Sequence, residues 1–269
     1  KGNQEAIIQN LMSGKDTFVI KPTGGGKSLC YQLPAILSEG VAIIVSPLIA
    51  LMKNQVALVR TYSSKDEIAH FLNSTLSKKE VREVHDDLLT GKTKMLYVAP
   101  ETLTKPENLE FFSDLKISFF AIDEAHCISD WGHDFRPEYR QLDQLAQRFP
   151  AVPRLALTAT ADPRTREDIR ERLGLDGEPV FLASFDRPNI RYQVQPLDNL
   201  RRQLLPFLEQ HRGESGIVYA RSRSRVDRLC ADLQAAGFDA IAYHAGLEAE
   251  QRRQALQRFR LGSGVVVVA

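Results

Sequence analysis

Two kinds of apolar pattern alternate along the first two thirds of the chain. The runs TFVI, VAIIVS, IAHFLN, KMLYVA, SFFAID, RLALTA and PVFLAS are nearly unbroken in apolar residues. Between them, KSLCYQLPAIL, PLIALMKNQVALVR and KKEVREVHDDLL repeat apolar residues at helical spacing. A strand with one wet face alternates apolar and polar residues, whereas a strand covered on both faces reads as a continuous apolar run. The pattern therefore predicts a parallel α/β sheet with helices on both faces.

The rhythm breaks at SFDRPNIRYQVQPLDN, from Ser184, where two prolines mark a linker. A second, shorter series follows: a helix from about Asp198, strand GIVYA, helix RVDRLCADLQAAG, strand AIAYHA, helix EAEQRRQALQRFR and strand VVVVA. This divides the chain into a first domain over 1–183, a linker over 184–197 and a partial second domain over 198–269. Three strands make about half of a doubly wound domain, and ending on VVVVA is expected to leave an unpaired apolar edge. A truncated product, or a longer polypeptide of which this is one piece, is the expectation.

Candidate chemistry sits at strand ends. After TFVI comes KPTGGGKS, then a helix that opens on Lys27 and Ser28. Glycines between a strand and a helix N-terminus let backbone amides converge on phosphate, where the helix dipole also favours negative charge. Thr23, Gly24, Gly25, Gly26, Lys27 and Ser28 are thus read as a phosphate cradle. Lys27 is assigned to the β and γ phosphates of ATP and the Ser28 hydroxyl to Mg²⁺. The strict motif has glycine where this chain has Lys21.

The strand SFFAID delivers Asp123 and Glu124 at its carboxyl end, where ligands bind in open α/β sheets. Asp123 suits Mg²⁺, directly or through its second shell, and Glu124 suits the attacking water as orienting group and base. The next turn leads into CISDWGHDFRPEYR. Trp131 and Phe135 there offer flat faces on which bases stack, worth about 1–3 kcal/mol per base, while His133 and Arg136 supply charge and hydrogen bonds. Residue type alone favours Trp131 as a core anchor with a satisfied indole. Ser46, before the helix start at Pro47, suits a DNA phosphate. His126 is expected to bridge to Thr158 or Thr160, with a buried hydrogen-bonded histidine as the alternative.

DEAH together with PTGGGKS resembles the superfamily 2 helicases, and CISDWGHDFRPEYR narrows the resemblance to the RecQ-like DNA helicases. QEAII looks like their adenine-reading motif, with Gln4 as its glutamine. SPLIALMKNQ and VAPETL resemble strand-tracking motifs, LTATA resembles motif III, and FDRPNI, GIVYARSRSRVD and YHAGL fit the linker and second-domain motifs. The resemblance implies a RecA-like ATPase domain followed by part of a second RecA-like domain. It also implies Mg²⁺-ATP-dependent 3′ to 5′ translocation on single-stranded DNA, unwinding of partly duplex DNA, and a place in DNA repair or recombination. Thr158 and Thr160 would couple ATP to DNA, and Arg221 and Ser222 would touch the DNA backbone.

Family members carry further motifs beyond the stretch matched here, an arginine finger among them. Such a finger is worth roughly 10³–10⁵ in rate by analogy with GTPases, so this chain is expected to bind nucleotide and hydrolyse it slowly. The rival readings are an inactive nucleotide- and DNA-binding fragment, an RNA-directed DEAH-type ATPase, and a P-loop small-molecule kinase. The kinase would leave the aromatic loop and motif III without a purpose.

Composition adds constraints. The chain is 43% hydrophobic and 26% charged with a net charge of +1, so no strongly basic field announces nucleic acid. Cys30, Cys127 and Cys230 lie far apart with no C-x-x-C pair, which predicts reduced core thiols and no zinc site. No apolar run is long enough for a membrane span, so a cytoplasmic, nucleoid-associated protein of bacterial type is expected. Residues 1–122 contain 12 Lys and 2 Arg, whereas 123–269 contain 21 Arg and no Lys. Two related parents joined near residue 123 would explain the switch, as would Arg at functional positions in the rear half.

Overall fold

The computed structural model describes residues 3–63, 65–132, 134–175, 177, 179–184 and 189–269. It divides into two compact units, Lys1–Asn189 and Ile190–Ala269. The division falls inside the stretch expected to be a linker, of which residues 185–188 lie outside the description.

The first unit holds seven strands: β1 (Thr17–Ile20), β2 (Val41–Val45), β3 (Ala69–Leu72), β4 (Met95–Val98), β5 (Ile117–Ile122), β6 (Arg154–Thr158) and β7 (Val180–Leu182). Their order is β3-β4-β2-β5-β6-β1-β7, and every pairing is parallel. Alternate residues enter opposite cores. Ile43 and Val45 of β2 join Phe18, Ile20, Phe120 and Ile122 on one face, while Ala42 and Ile44 join Val19, Tyr97, Ala121 and Leu155 on the other. Each large side chain fully buried this way contributes about 1.5–3 kcal/mol, which is why both faces read as apolar.

This order sets β5, β6 and β1 side by side. The turn after β1, the acidic turn after β5 and the end of β6 therefore open on one edge of the sheet. Below it, Asp16 before β1 is bound to Arg154 of β6. The Arg154 amide donates to Asp16 Oδ1 at 2.7 Å, its guanidinium pairs with the same carboxylate, and Nη1 donates to the Leu173 carbonyl at 2.9 Å.

The second unit holds β8 (Gly216–Val218), β9 (Asp239–Ala242) and β10 (Val265–Val268), with helices Leu200–Gln210, Arg223–Ala235 and Ala249–Leu261. Its sheet order is β8-β10-β9, all parallel. This corrects the expectation for VVVVA: the last strand is central, paired on both sides, and its apolar run is buried. The edges are β8 and β9.

All three cysteines are buried free thiols. No helix among the described residues is long and apolar enough to cross a membrane.

Candidate active site

The loop after β1 turns on glycine. Gly24 and Gly26 take φ of +76° and +77°, and the Gly25 amide donates to the Pro22 carbonyl at 2.9 Å. A Cβ on Gly26 would fall on the side-chain amide of Gln4, whose Nε2 donates to the Gly26 carbonyl at 3.1 Å. Gln4, from the helix Gln4–Met12, is thereby fixed against the cradle. Ser28 immediately precedes the helix Leu29–Leu37, and Lys27 Nζ donates to the Lys21 carbonyl at 3.2 Å. Lys21, at the position where the strict motif has glycine, is buried, and its Nζ has no hydrogen-bond partner.

β5 ends by delivering Asp123, only 8% exposed. Its amide donates to the Val45 carbonyl at 2.9 Å, and its Oδ1 accepts from the Glu124 amide at 3.0 Å. Burial, then the neighbouring Glu124 carboxylate, push the Asp123 carboxyl up from 3.8 to about 6, while the Lys27 ammonium pulls it down. Lys27 and Asp123 thus feel each other's charge across the edge of the sheet.

Glu124 adopts φ 50° and ψ 44°, the one non-glycine residue with positive φ among those described. A left-handed glutamate is costly, by about 1–2 kcal/mol, and such strain collects where a side chain must be aimed. Here it turns the chain straight from strand into the short helix Ala125–Ile128. His126, buried there, has Nδ1 2.9 Å from Thr158 Oγ1 and 3.4 Å from Glu124 Oε2. Thr158 Oγ1 in turn donates to the Thr160 carbonyl at 2.9 Å, and Thr160 itself is exposed.

The aromatic stretch closes back onto this turn. The Arg136 amide donates to the Cys127 carbonyl at 2.9 Å, and a Cβ on Gly132 would strike the His126 carbonyl. Tyr139, fully buried, donates from its hydroxyl to the Asp123 carbonyl at 3.0 Å. Trp131 is 55% exposed, so it is not a core anchor. The Arg164 guanidinium lies 3.3 Å from the centre of its ring. Phe135 is half-buried, with the Arg140 guanidinium over its face. Arg136 binds Asp134 at 3.0 Å and donates to the Pro47 carbonyl at 3.3 Å. His133 lies outside the described residues.

Ser46 is corrected from its expected position as a phosphate contact. It is 2% exposed, its amide is tied to the Val98 carbonyl, and its hydroxyl has no hydrogen-bond partner. In the second unit Ser222 caps the helix Arg223–Ala235 by accepting from the Arg225 amide, beside an exposed Arg221.

Three residues at this edge carry no mark in the sequence. Arg164 sits in RTREDIRERLG, which reads as an ordinary charged helix face. Tyr139 follows a proline in a short helix, and Asp134 is one acid among many. Only the adjacency of Asp134 to Arg136 offered a signal.

Comparison with known proteins follows the same division. Residues 1–169 match the DEAD/DEAH box helicase family and residues 196–269 the helicase conserved C-terminal domain. The chain belongs to the DEAD/DEAH box helicase family, and within it is RecQ-like. It is 48% identical over 269 residues to the ATP-dependent DNA helicase RecQ of Pasteurella multocida, covering 100% of this chain and 42% of that protein. It is 44% identical over 266 residues to RecQ of Haemophilus influenzae, covering 99% and 42%. The chain thus spans less than half the length of these curated relatives. Among solved structures, Mycobacterium smegmatis helicase Lhr bound to ssDNA and AMP-PNP aligns with a TM-score of 0.63 at 20% identity, over 98% of this chain and 39% of that one. S. cerevisiae dbp5 bound to gle1 and IP6 aligns with a TM-score of 0.72 at 16% identity, over 99% and 68%. These two show the fold.

Proposed function

We propose that this chain forms the ATP-binding and part of the DNA-tracking apparatus of a DNA helicase. The whole protein would move 3′ to 5′ on single-stranded DNA and open partly duplex DNA during repair or recombination. The observation that carries the reading is the convergence of Lys27, Asp123, Glu124 and Thr158 at the carboxyl ends of three neighbouring strands. The names of the two RecQ relatives, both ATP-dependent DNA helicases, support DNA as the nucleic acid.

In this reading the amides of Gly24, Gly25 and Gly26 hold the ATP phosphates, with Thr23 beside them and Lys27 on the β and γ groups. Gln4, fixed against Gly26, faces the adenine. Ser28 and Asp123 fit Mg²⁺, because a buried carboxyl held above its usual range ionises readily only beside a cation such as Lys27 or a metal. When bound, Mg²⁺ neutralises phosphate charge. Glu124 orients the water and accepts its proton as oxygen attacks the γ phosphorus and ADP leaves. His126 carries the state of that carboxylate to Thr158 and Thr160. Trp131 and Phe135 stack bases, and Arg136, His133, Arg221 and Ser222 meet the backbone.

The test compares ATP turnover stimulated by single-stranded DNA with that stimulated by RNA of the same length. Stronger stimulation by DNA supports the reading; equal or stronger stimulation by RNA supports the RNA-directed alternative.

A further inference from the structure

Spacing in the sequence gives no zinc signature, yet folding gathers three ligand types beside the acidic turn. His126 Nδ1 is engaged by Thr158, which turns Nε2 toward Cys127 Sγ at 3.7 Å. Cys127 Sγ lies 3.9 Å from Asp134 Oδ2. One ligand atom from each of the three residues falls within 4.8 Å of the other two. Around a tetrahedral metal with bonds of about 2.0–2.3 Å, ligand atoms stand roughly 3.3–3.8 Å apart, so a small contraction closes the set.

We propose that His126, Cys127 and Asp134 form a binding site for a thiophilic divalent cation of the Zn²⁺ class. The donor set of imidazole, thiol and carboxylate is one that Zn²⁺ and Cd²⁺ accept, and three protein ligands leave a fourth position for water. The imidazole is already oriented as a ligand should be. Its other nitrogen is held by Thr158, with Glu124 Oε2 3.4 Å away, an outer-shell arrangement that fixes ring and tautomer. Two ligands are buried and the third, Asp134, is exposed, which gives the ion a way in. On binding, the S–H bond of Cys127 breaks, sulfur keeps the electron pair for the metal, and one proton passes to solvent.

Filling the site takes Asp134 from Arg136, which it now binds at 3.0 Å, and ties the base of the aromatic loop to the DEAH histidine. Metal binding does not depend on the helicase reading. Its consequence, a block on coupling between loop and ATP turn, rests on it.

The test is a titration of the chain with Cd²⁺, followed by the thiolate-to-metal absorption band, then displacement by Zn²⁺. One Cd²⁺ per chain is expected to raise the band. Asp134→Asn, at an exposed position, should weaken binding by about tenfold or more. Cys127→Ser should abolish the band, and Cys30→Ser should keep it. A missing band, a band that persists in Cys127→Ser, or an affinity unmoved by Asp134→Asn would overturn the proposal.

Discussion

His126 Nδ1 and Thr158 Oγ1, 2.9 Å apart and both buried, join the acidic turn after β5 to the end of β6. The two strands already pair along their backbones, and this bond adds a side-chain link at their carboxyl ends. Leaving a buried polar group without its partner is destabilising by about 1–3 kcal/mol. Thr158→Val should therefore lower stability by that amount and reduce DNA stimulation of ATP turnover while ATP binding persists. A cycle with His126→Ala should be strongly non-additive. Additive effects would mean the contact carries nothing between the two sites.

The cradle makes a sharper prediction at one atom. Gly26→Ala places a methyl on the Gln4 amide at a φ of +77°. Nucleotide affinity should fall by about tenfold or more, since a left-handed residue with a Cβ is penalised by about 1–2 kcal/mol before any clash. Gln4→Ala removes the clash, so Gly26→Ala in that background should lose less. Fluorescent-nucleotide titration of the four proteins measures this; equal losses in both backgrounds would contradict it.

Asp123 predicts a pH dependence. Its carboxyl is raised from 3.8 to about 6 by burial and by Glu124, so the folded protein holds this proton more tightly than the unfolded chain. The stabilisation is complete below about pH 4 and is lost as pH rises through about 6, a change of about 3 kcal/mol. Asp123→Asn lacks the titration. Relative to wild type without Mg²⁺, it should gain stability between pH 4.5 and 7.5 in denaturant unfolding. A constant difference across that range would refute the assignment.

Several of these features were readable before folding. The seven runs of the first unit are strands because both sheet faces are covered, and that leaves unbroken apolar runs in the sequence. Strand order was not readable: nothing local says that β6 lies between β5 and β1, although that neighbourhood brings Thr158 to His126. For the same reason VVVVA looked like an exposed edge and is a sheet centre. Trp131, by type a core residue, stands on a loop closed by the Arg136–Cys127 backbone bond and remains half exposed. Ser46 followed an apolar strand so closely that it is buried with it. Arg164 and Asp134 were hidden because charged residues on a helix or loop normally face solvent.

Trp131 is the single tryptophan, so its fluorescence reports on the aromatic loop alone. Arg164→Ala should shift that emission, because the guanidinium covers the ring at 3.3 Å. Trp131→Ala should weaken single-stranded DNA binding by about 1–3 kcal/mol. Single-stranded DNA affinity unchanged in Trp131→Ala would place the aromatic loop outside the DNA interface.

Glu124 as the water-activating base is tested most directly by ATP turnover of this chain, with and without single-stranded DNA, beside Glu124→Gln. Slow turnover that DNA raises is expected, with a loss of about 10²-fold or more in the variant and ATP affinity retained. Turnover in Glu124→Gln equal to wild type, or no ATP binding by either protein, would contradict that assignment.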